Sequence, residues 1–505
     1  MYITALVVIL IVAAVWKLSP APLDPQEPPS AFSKIPLIGH LIGIISYRTQ
    51  WPIFTMSVFS WRIYVVTSPE LVQAIHRNTK AFSFDPIFIN VSQRLFKIDK
   101  ATLKLMMPHP QGSPNEYEYI HSLESAMSSA MIRGPNLENM KHQALDRFSS
   151  LLENISAEEQ SVKLFSWIGD HFADATATAL WGPDNPISKD HSLIQNLWDF
   201  QADISLLSLA IFPSIIARKG HEGQQRLDKA FQNYYLGGHF TKASSFIQNR
   251  INSYLAQGIS IDRIPNCEGA ILGAGTMNSV PALFWLICFI LVDERLHVAL
   301  REELSSITTK IGAQTVCLNT SELGRTCPLF TSTFHEVLRF TNAEVGNRIV
   351  MEDTLLEGRW LLKKDAVIQT PSIRRHMSRE IWGPDFATFN PRRFMDRKSQ
   401  PKDVQKKQWQ GGFTPFGGGR NFCPGRHFAT AEILGVAAIL LTGFEFTSKD
   451  GGVFKMPGMC KQGMAQQVKQ PSKDVEVLIK RRREFEGIKW TFEVGPGTDA
   501  EYLAY

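Results

Sequence analysis

One of the six cysteines stands where chemistry is possible. The run Phe416-Gly-Gly-Gly-Arg-Asn-Phe-Cys423-Pro-Gly-Arg-His-Phe-Ala429 sets Cys423 between a glycine-rich turn and an apolar helical run, Ala429 to Leu441. Gly417, Gly418 and Gly419 admit backbone angles that other residues resist, and leave no side chain to block a flat ligand. Pro424 suits the first turn of a helix, where its missing N–H is no loss. Cys423 is therefore expected at the N-terminal end of a helix, where unpaired N–H groups and the helix dipole favour a thiolate. Such a thiolate is a metal ligand or, with His427 four residues on, a nucleophile. A buried structural cysteine behind a tight turn is the plain alternative. Cys267, Cys288, Cys317, Cys327 and Cys460 read as inert thiols of a reducing compartment, and no CxxC pair offers a zinc site.

Two further constellations accompany it. Glu336 and Arg339 are three apart, so a helix puts them on one face as an ion pair. Residues 269–292 are 24 consecutive positions without charge. Their middle holds Gly273, Gly275, Asn278, Ser279 and Pro281. Small and polar residues there suggest that something packs against the backbone, and Pro281 frees a carbonyl and invites a kink. By length alone the stretch fits either a buried core helix or a membrane span.

The rest of the chain must position these groups. It has 505 residues, 44% hydrophobic and 20% charged, which is a folding globular composition. The net charge of +5 is too weak to imply a nucleic-acid partner. Residues 1–16 carry no charge and Lys17 closes the run, so residues 1–18 are expected to be a transmembrane anchor. A cleaved signal peptide would want a basic start and a small-residue cleavage site. Residues 19–40, with six prolines from Pro20 to Pro36, are expected to be an extended hinge. Residues 41–505 show no second linker and no repeat, and are expected to form one body. Helical periodicity is plain at Leu137–Leu152 and Leu227–Leu255, and strands are expected around 348–370 and 475–479. The class is mainly α with a small β part. The basic run at 480–483 reads as a solvated edge.

The Cys423 loop resembles the haem-ligand loop of the cytochrome P450 family. His335-Glu336-Val-Leu-Arg339 resembles its Glu-x-x-Arg motif. Phe389-Asn-Pro391-Arg392-Arg393-Phe394 resembles its Pro-Glu-Arg-Phe motif, with Arg393 in the arginine place. The anchor and hinge match the microsomal members. The resemblance implies the P450 fold and a haem b with Cys423 as axial thiolate, a ligand that favours O–O cleavage. It implies cofactor contacts from Phe416, Gly419, Arg420, Gly425 and His376. Glu336, Arg339 and Arg393 would form a buried ion network holding the haem loop. It further implies O2, electrons from NADPH–cytochrome P450 reductase, an apolar small-molecule substrate, and an endoplasmic reticulum membrane with the catalytic body facing the cytosol. Basic residues near the loop, Lys406, Lys407, Arg392 and Arg393, would steer the reductase or simply be solvated.

The sequence also departs from the family pattern. Ala274-Gly275-Thr276-Met277-Asn278-Ser279 has Met277 in the acid place and Asn278 in the threonine place of the oxygen-binding helix. Asn278, Ser279 or Thr276 is left to carry protons, with Ala274, Gly275 and Met277 lining the substrate pocket. Asn421 stands where an arginine usually meets a haem propionate, so Arg420 or His376 is the expected substitute. The run 278–285 resembles a branch with sterol 7α- and 12α-hydroxylases, prostacyclin synthase and fungal secondary-metabolism oxidases. That branch offers two activities. One is a monooxygenase acting on a terpenoid, steroid or alkaloid intermediate of a fungal-type pathway. The other is a haem-thiolate isomerase or dehydratase acting on a peroxide without O2. A non-catalytic membrane protein with two spans and a structural Cys423 is the reading from another class.

Overall fold

The computed structural model describes residues 23–31, 51–58, 61–96, 98–106, 118–264, 266–395, 411–460 and 467–495. The expected anchor, residues 1–18, lies outside them, as do Lys406 and Lys407. Much of the expected hinge, residues 19–40, lies outside as well. Its described part does not stand off as a spacer but docks on the body. Ala31 N–H donates to the Thr55 carbonyl and Thr55 N–H to the Pro29 carbonyl, both at 2.9 Å. Tyr64 Oη donates to buried Glu27 Oε2 at 2.7 Å.

Helix limits follow the punctuation of the sequence. Helix α1 (Pro69–Arg77) begins after Ser68, whose Oγ accepts the Leu71 N–H at 3.4 Å. Helix α2 (Pro135–Leu151) starts on a proline. Helix α3 (Leu164–Trp181) stops at Gly182, which has φ +78°. Then come α4 (Ser192–Leu209), α5 (Arg218–Leu236) and α6 (Ser245–Ala256). The helical period expected through Leu227–Leu255 is thus interrupted. Gly237 and Gly238, the latter at φ +71°, end α5 before a short turn leads into α6. The remaining helices that matter are α7 (Glu268–Thr276), α8 (Ser279–Leu291), α9 (Pro328–Thr341) and α10 (Arg426–Gly443).

Strands are the smaller part. A five-stranded sheet joins β1 (Ile53–Val58), β2 (Trp61–Val66) and β3 (Phe82–Ser83) to a later pair from the second half of the chain. With β4 (Gln160–Lys163) assigned to another sheet, that pair is β5 (Val345–Val350) and β6 (Val367–Pro371). The order is β1-β2-β6-β5-β3, with β6 parallel to β2 and antiparallel to β5. Strands β7 (Phe444–Ser448) and β8 (Glu476–Arg481) form a second sheet with β4. Arg481, expected on a solvated edge, is instead 4% exposed. It sits in β8 on the inner face and donates to the Leu152 carbonyl at 2.6 Å and the Ile155 carbonyl at 2.8 Å.

The uncharged stretch is the centre of the core, not a membrane span. Leu283, Phe284, Trp285, Leu286, Ile287, Cys288 and Ile290 of α8 are all fully buried by protein. It breaks between α7 and α8 at Met277-Asn278. Pro281 is the cause: it has no N–H to return to the Met277 carbonyl four residues earlier. The start of α7 is held by a buried ion pair between Arg250 and Glu268. Arg250 also donates to Tyr235 Oη at 2.9 Å.

Helices α4 and α5 meet backbone to backbone. A Cβ on Gly223 would lie 2.6 Å from the Asn196 carbonyl oxygen, which cannot move aside as a side chain would. Gly223→Ala gains about 1 kcal/mol of helix propensity but forces the two helices apart, a strain of about 1–3 kcal/mol. The expected outcome is a lowered unfolding midpoint, measured by chemical denaturation.

Candidate active site

The loop around Cys423 is held from three sides. Phe416 packs against the core and its carbonyl accepts the Cys423 N–H at 3.0 Å. The Pro415 carbonyl accepts Asn342 Nδ2 at 3.0 Å, and Thr414 N–H donates to His376 Nε2 at 3.0 Å. The third side is α1. A Cβ on Gly418 would lie 2.5 Å from the His76 ring, and one on Gly419 2.9 Å from the His76 carbonyl. Gly417 and Gly419 also adopt φ +79° and +67°.

Cys423 does not sit on the first turn of α10. Gly425 is the residue before the helix and Arg426 its first member, so Pro424 lies outside it too. Burial pushes the Cys423 thiol above its ordinary value, although the Gly425 and Arg426 amides and the Arg426 guanidinium pull it down. The expected helix-end thiolate is therefore not formed by the protein alone. A bound cation of high charge would ionise the thiol. His427 is buried and its ring is held neutral, its value lowered to about 4 by burial and by Arg426, Arg133 and Lys141.

Behind the loop lies an ion network. Arg339 Nε and Nη2 each donate to Glu336 at 2.8 Å, and both side chains are fully buried. Arg393 Nε donates to Glu336 Oε1 at 3.0 Å and Oε2 at 3.1 Å. Arg339 Nη1 then reaches the His376 carbonyl at 2.7 Å and the Phe386 carbonyl at 2.9 Å. Arg393 extends outward to Asp385, whose side chain is 48% exposed.

Next to the loop is a cavity of about 260 Å³ whose lining includes His76, Glu344, Arg348, Arg375, Asn421 and Gln467. His376 and Arg420, the expected propionate contacts, are not in that lining. Arg420 is exposed on a 3-10 turn, and His376 Nε2 is occupied by Thr414. The arginines that do line it are Arg348 and Arg375. Arg375 is 2% exposed, and its Nε has no partner. Burial lowers its value to about 10 against the pull of Glu344. Burial raises Glu344 to about 7 against the pull of Arg375 and Arg348. One buried and one half-buried guanidinium facing a reluctant carboxylate leave unmet demand for anions. The propionates of a haem fit that demand. The described residues also hold no cluster of three His, Cys, Asp or Glu able to bind a metal. A metal at Cys423 would bring its other ligands with it, as haem iron does.

The α7–α8 stretch turns a bare flank outward. Ala274 is exposed in the middle of the core stretch, Gly275 and Asn278 are half-buried, and Ser279 is 5% exposed. Asn278 Oδ1 accepts Gln467 N–H at 3.0 Å and Val468 N–H at 3.2 Å. Thr276 points the other way: it is fully buried, accepts from Gln201 Nε2 at 2.9 Å and donates to the Leu272 carbonyl at 2.8 Å. Met277 is 6% exposed and turned into the core. Neither matches its expected place, Thr276 in proton delivery or Met277 on the pocket wall, because both lie on the packed face of the helix.

Sequence reasoning missed His76, Glu344, Arg348, Arg375 and Glu432. For Glu432 a signal existed, as it is the one charge in the run Ala429–Leu441. It accepts Thr176 Oγ1 at 2.8 Å, and its Oε2 has no partner. Burial raises it to about 8, with Thr176 opposing.

The family described as Cytochrome P450 matches residues 185–473. A "Cytochrome P450 monooxygenase" of Gibberella zeae is 30% identical, covering 94% of this chain and 93% of its own. The "Cytochrome P450 monooxygenase nodJ" of Hypoxylon pulicicidum is 29% identical, covering 98% and 97%. "Cytochrome P450 7A1" of Sus scrofa is 25% identical over 61% of this chain and 63% of its own.

Two outcomes follow. Glu336→Gln leaves the buried Arg339 guanidinium without its anion and Arg393 with Asp385 alone, and should destabilise by about 3–5 kcal/mol, whereas Asp385→Asn on the exposed side should cost below about 1 kcal/mol. Denaturation midpoints compare them. Glu432 has a folded value of about 8 against the ordinary 4.5, so the folded protein holds a proton that the unfolded chain releases. Wild-type stability should therefore fall relative to Glu432→Gln as pH rises from 4.5 to about 8, and the gap should be flat outside that window. Midpoints measured across pH 4 to 9 would show no slope between 4.5 and 8 if the carboxyl were ionised when folded, since both states would then bind the same number of protons.

Proposed function

Because this chain belongs to the cytochrome P450 family and is an oxidoreductase of the monooxygenase kind, we propose that Cys423 holds a haem b through its thiolate beside the exposed Ala274. The observation that carries this reading is the Cys423 loop itself. It is braced by Phe416, Asn342 and His376 and lies next to buried Arg375 and half-buried Arg348, which have capacity for anions. Arg348 and Arg375 would pair with the propionates. Gly417 and Gly418 would keep the loop flat against the ring. Bound there, the haem supplies activation of O2 with electrons from NADPH through a reductase.

The residues of this chain then orient and exclude. The exposed Ala274 leaves room for an apolar molecule to approach, while Gly275 faces the Thr176 methyl and the packed core of α8 keeps water from that side. The substrate class we propose is a terpenoid, steroid or alkaloid intermediate of a fungal secondary pathway. Its support is the fungal origin of the relatives that cover nearly the whole chain. We also propose an anchor at residues 1–18, a hinge at 19–40 and a catalytic body at 41–505 on the endoplasmic reticulum membrane. Their support is the uncharged N-terminal run and the proline-rich stretch after it.

The reduced protein with carbon monoxide should show the haem-thiolate band, and Cys423→Ser should abolish it while the fold is retained by circular dichroism. Haem-loaded wild type without that band would sink the proposal. With a substrate in hand, product should require O2, NADPH and reductase together.

A further inference from the structure

The segment Gln467–Lys469 is a strap rather than a loop. Ala343 N–H donates to the Gln467 carbonyl at 2.7 Å and Lys469 N–H to the Thr341 carbonyl at 3.1 Å, tying it to the end of α9. Trp285 Nε1 of α8 donates to the Lys469 carbonyl at 2.6 Å. Its remaining amides, Gln467 N–H and Val468 N–H, both go to one atom, Asn278 Oδ1 at the α7–α8 break. Val468 is 3% exposed, so its N–H has little access to water. Gln467 lines the cavity shared with Arg348 and Arg375.

We propose that Asn278 is a positioning residue whose side-chain oxygen fixes Gln467–Lys469, and with it the place of Gln467 in the wall of that cavity, and so sets which ligand shapes fit. This rests on the haem-thiolate reading. The geometry explains why an amide serves at this position. Its carbonyl oxygen has two lone pairs on a two-bond stem and accepts both N–H groups. A threonine hydroxyl ends one bond nearer the backbone and reaches less far toward the strap. The role asks Asn278 to accept, not to donate a proton to oxygen.

The distinguishing variants are Asn278→Ala, which removes the acceptor, and Asn278→Asp, which keeps the acceptor but has no N–H to donate. On the haem-loaded full chain, amide hydrogen exchange should rise about tenfold at Gln467 and Val468 in Asn278→Ala and return to the wild-type rate in Asn278→Asp. In optical titrations, affinity for 4-phenylimidazole should fall about tenfold in Asn278→Ala, while that for imidazole, too small to touch the wall, should change less than about twofold. Asn278→Asp should restore both. Unchanged exchange at 467–468 in Asn278→Ala overturns the inference. So does Asn278→Asp behaving as Asn278→Ala, or an equal loss for both ligands. Failure of the haem reading shows separately, as absence of the carbon-monoxide band in wild type, and leaves the exchange result to stand by itself.

Discussion

The buried carboxylate of Glu336 is the constraint on which the site depends. It has no access to water and is balanced by two guanidiniums, Arg339 and Arg393. Desolvating three charges is tolerable only if each remaining donor also finds an acceptor. Arg339 meets that demand by bonding the His376 carbonyl, and His376 Nε2 accepts the Thr414 N–H. Three residues along the chain from Thr414, Gly417 begins the glycine turn, and the Phe416 carbonyl between them accepts the Cys423 amide. An electrostatic requirement deep in the protein is thus passed, bond by bond, to the position of one sulfur.

The opposite wall obeys a backbone constraint. Pro281 denies the Met277 carbonyl its partner, and the helix parts there. The opening exposes Asn278 where its oxygen can capture the Gln467–Lys469 strap. Thr276, two residues before, faces the packed side and is spent on Gln201 and the Leu272 carbonyl. Two polar residues only two positions apart therefore serve different ends, since a helix turns about 100° per residue.

The same chemistry gives the cavity its character. Arg348 comes from β5 and Arg375 follows β6, strands that pair antiparallel in the five-stranded sheet. Burial makes both guanidiniums costly to leave unpaired, and Glu344 meets their charge only in part because it is itself desolvated. The propionates of the proposed haem would meet the charge that Glu344 leaves.

Sequence alone determined the class, the uncharged core stretch, the loop bearing Cys423, and the pairing of Glu336 with Arg339. Each is encoded locally: by composition, by glycine and proline, or by spacing of three on one helical face. Proline marked the helix break and glycines marked the tight turn because these residues restrict or free the backbone wherever they occur. Only the tertiary structure decided which side chains face the cavity. Arg375 and His376 are neighbours, yet one lines it and the other braces the loop. Thr276 and Asn278 likewise part company. Orientation of that kind depends on partners hundreds of residues away, Gln201, Thr414 and Gln467 among them, and no local pattern carries it. Burial decided the protonation of Cys423, Glu344 and Glu432 for the same reason: desolvation is a property of the packed chain, not of the residue.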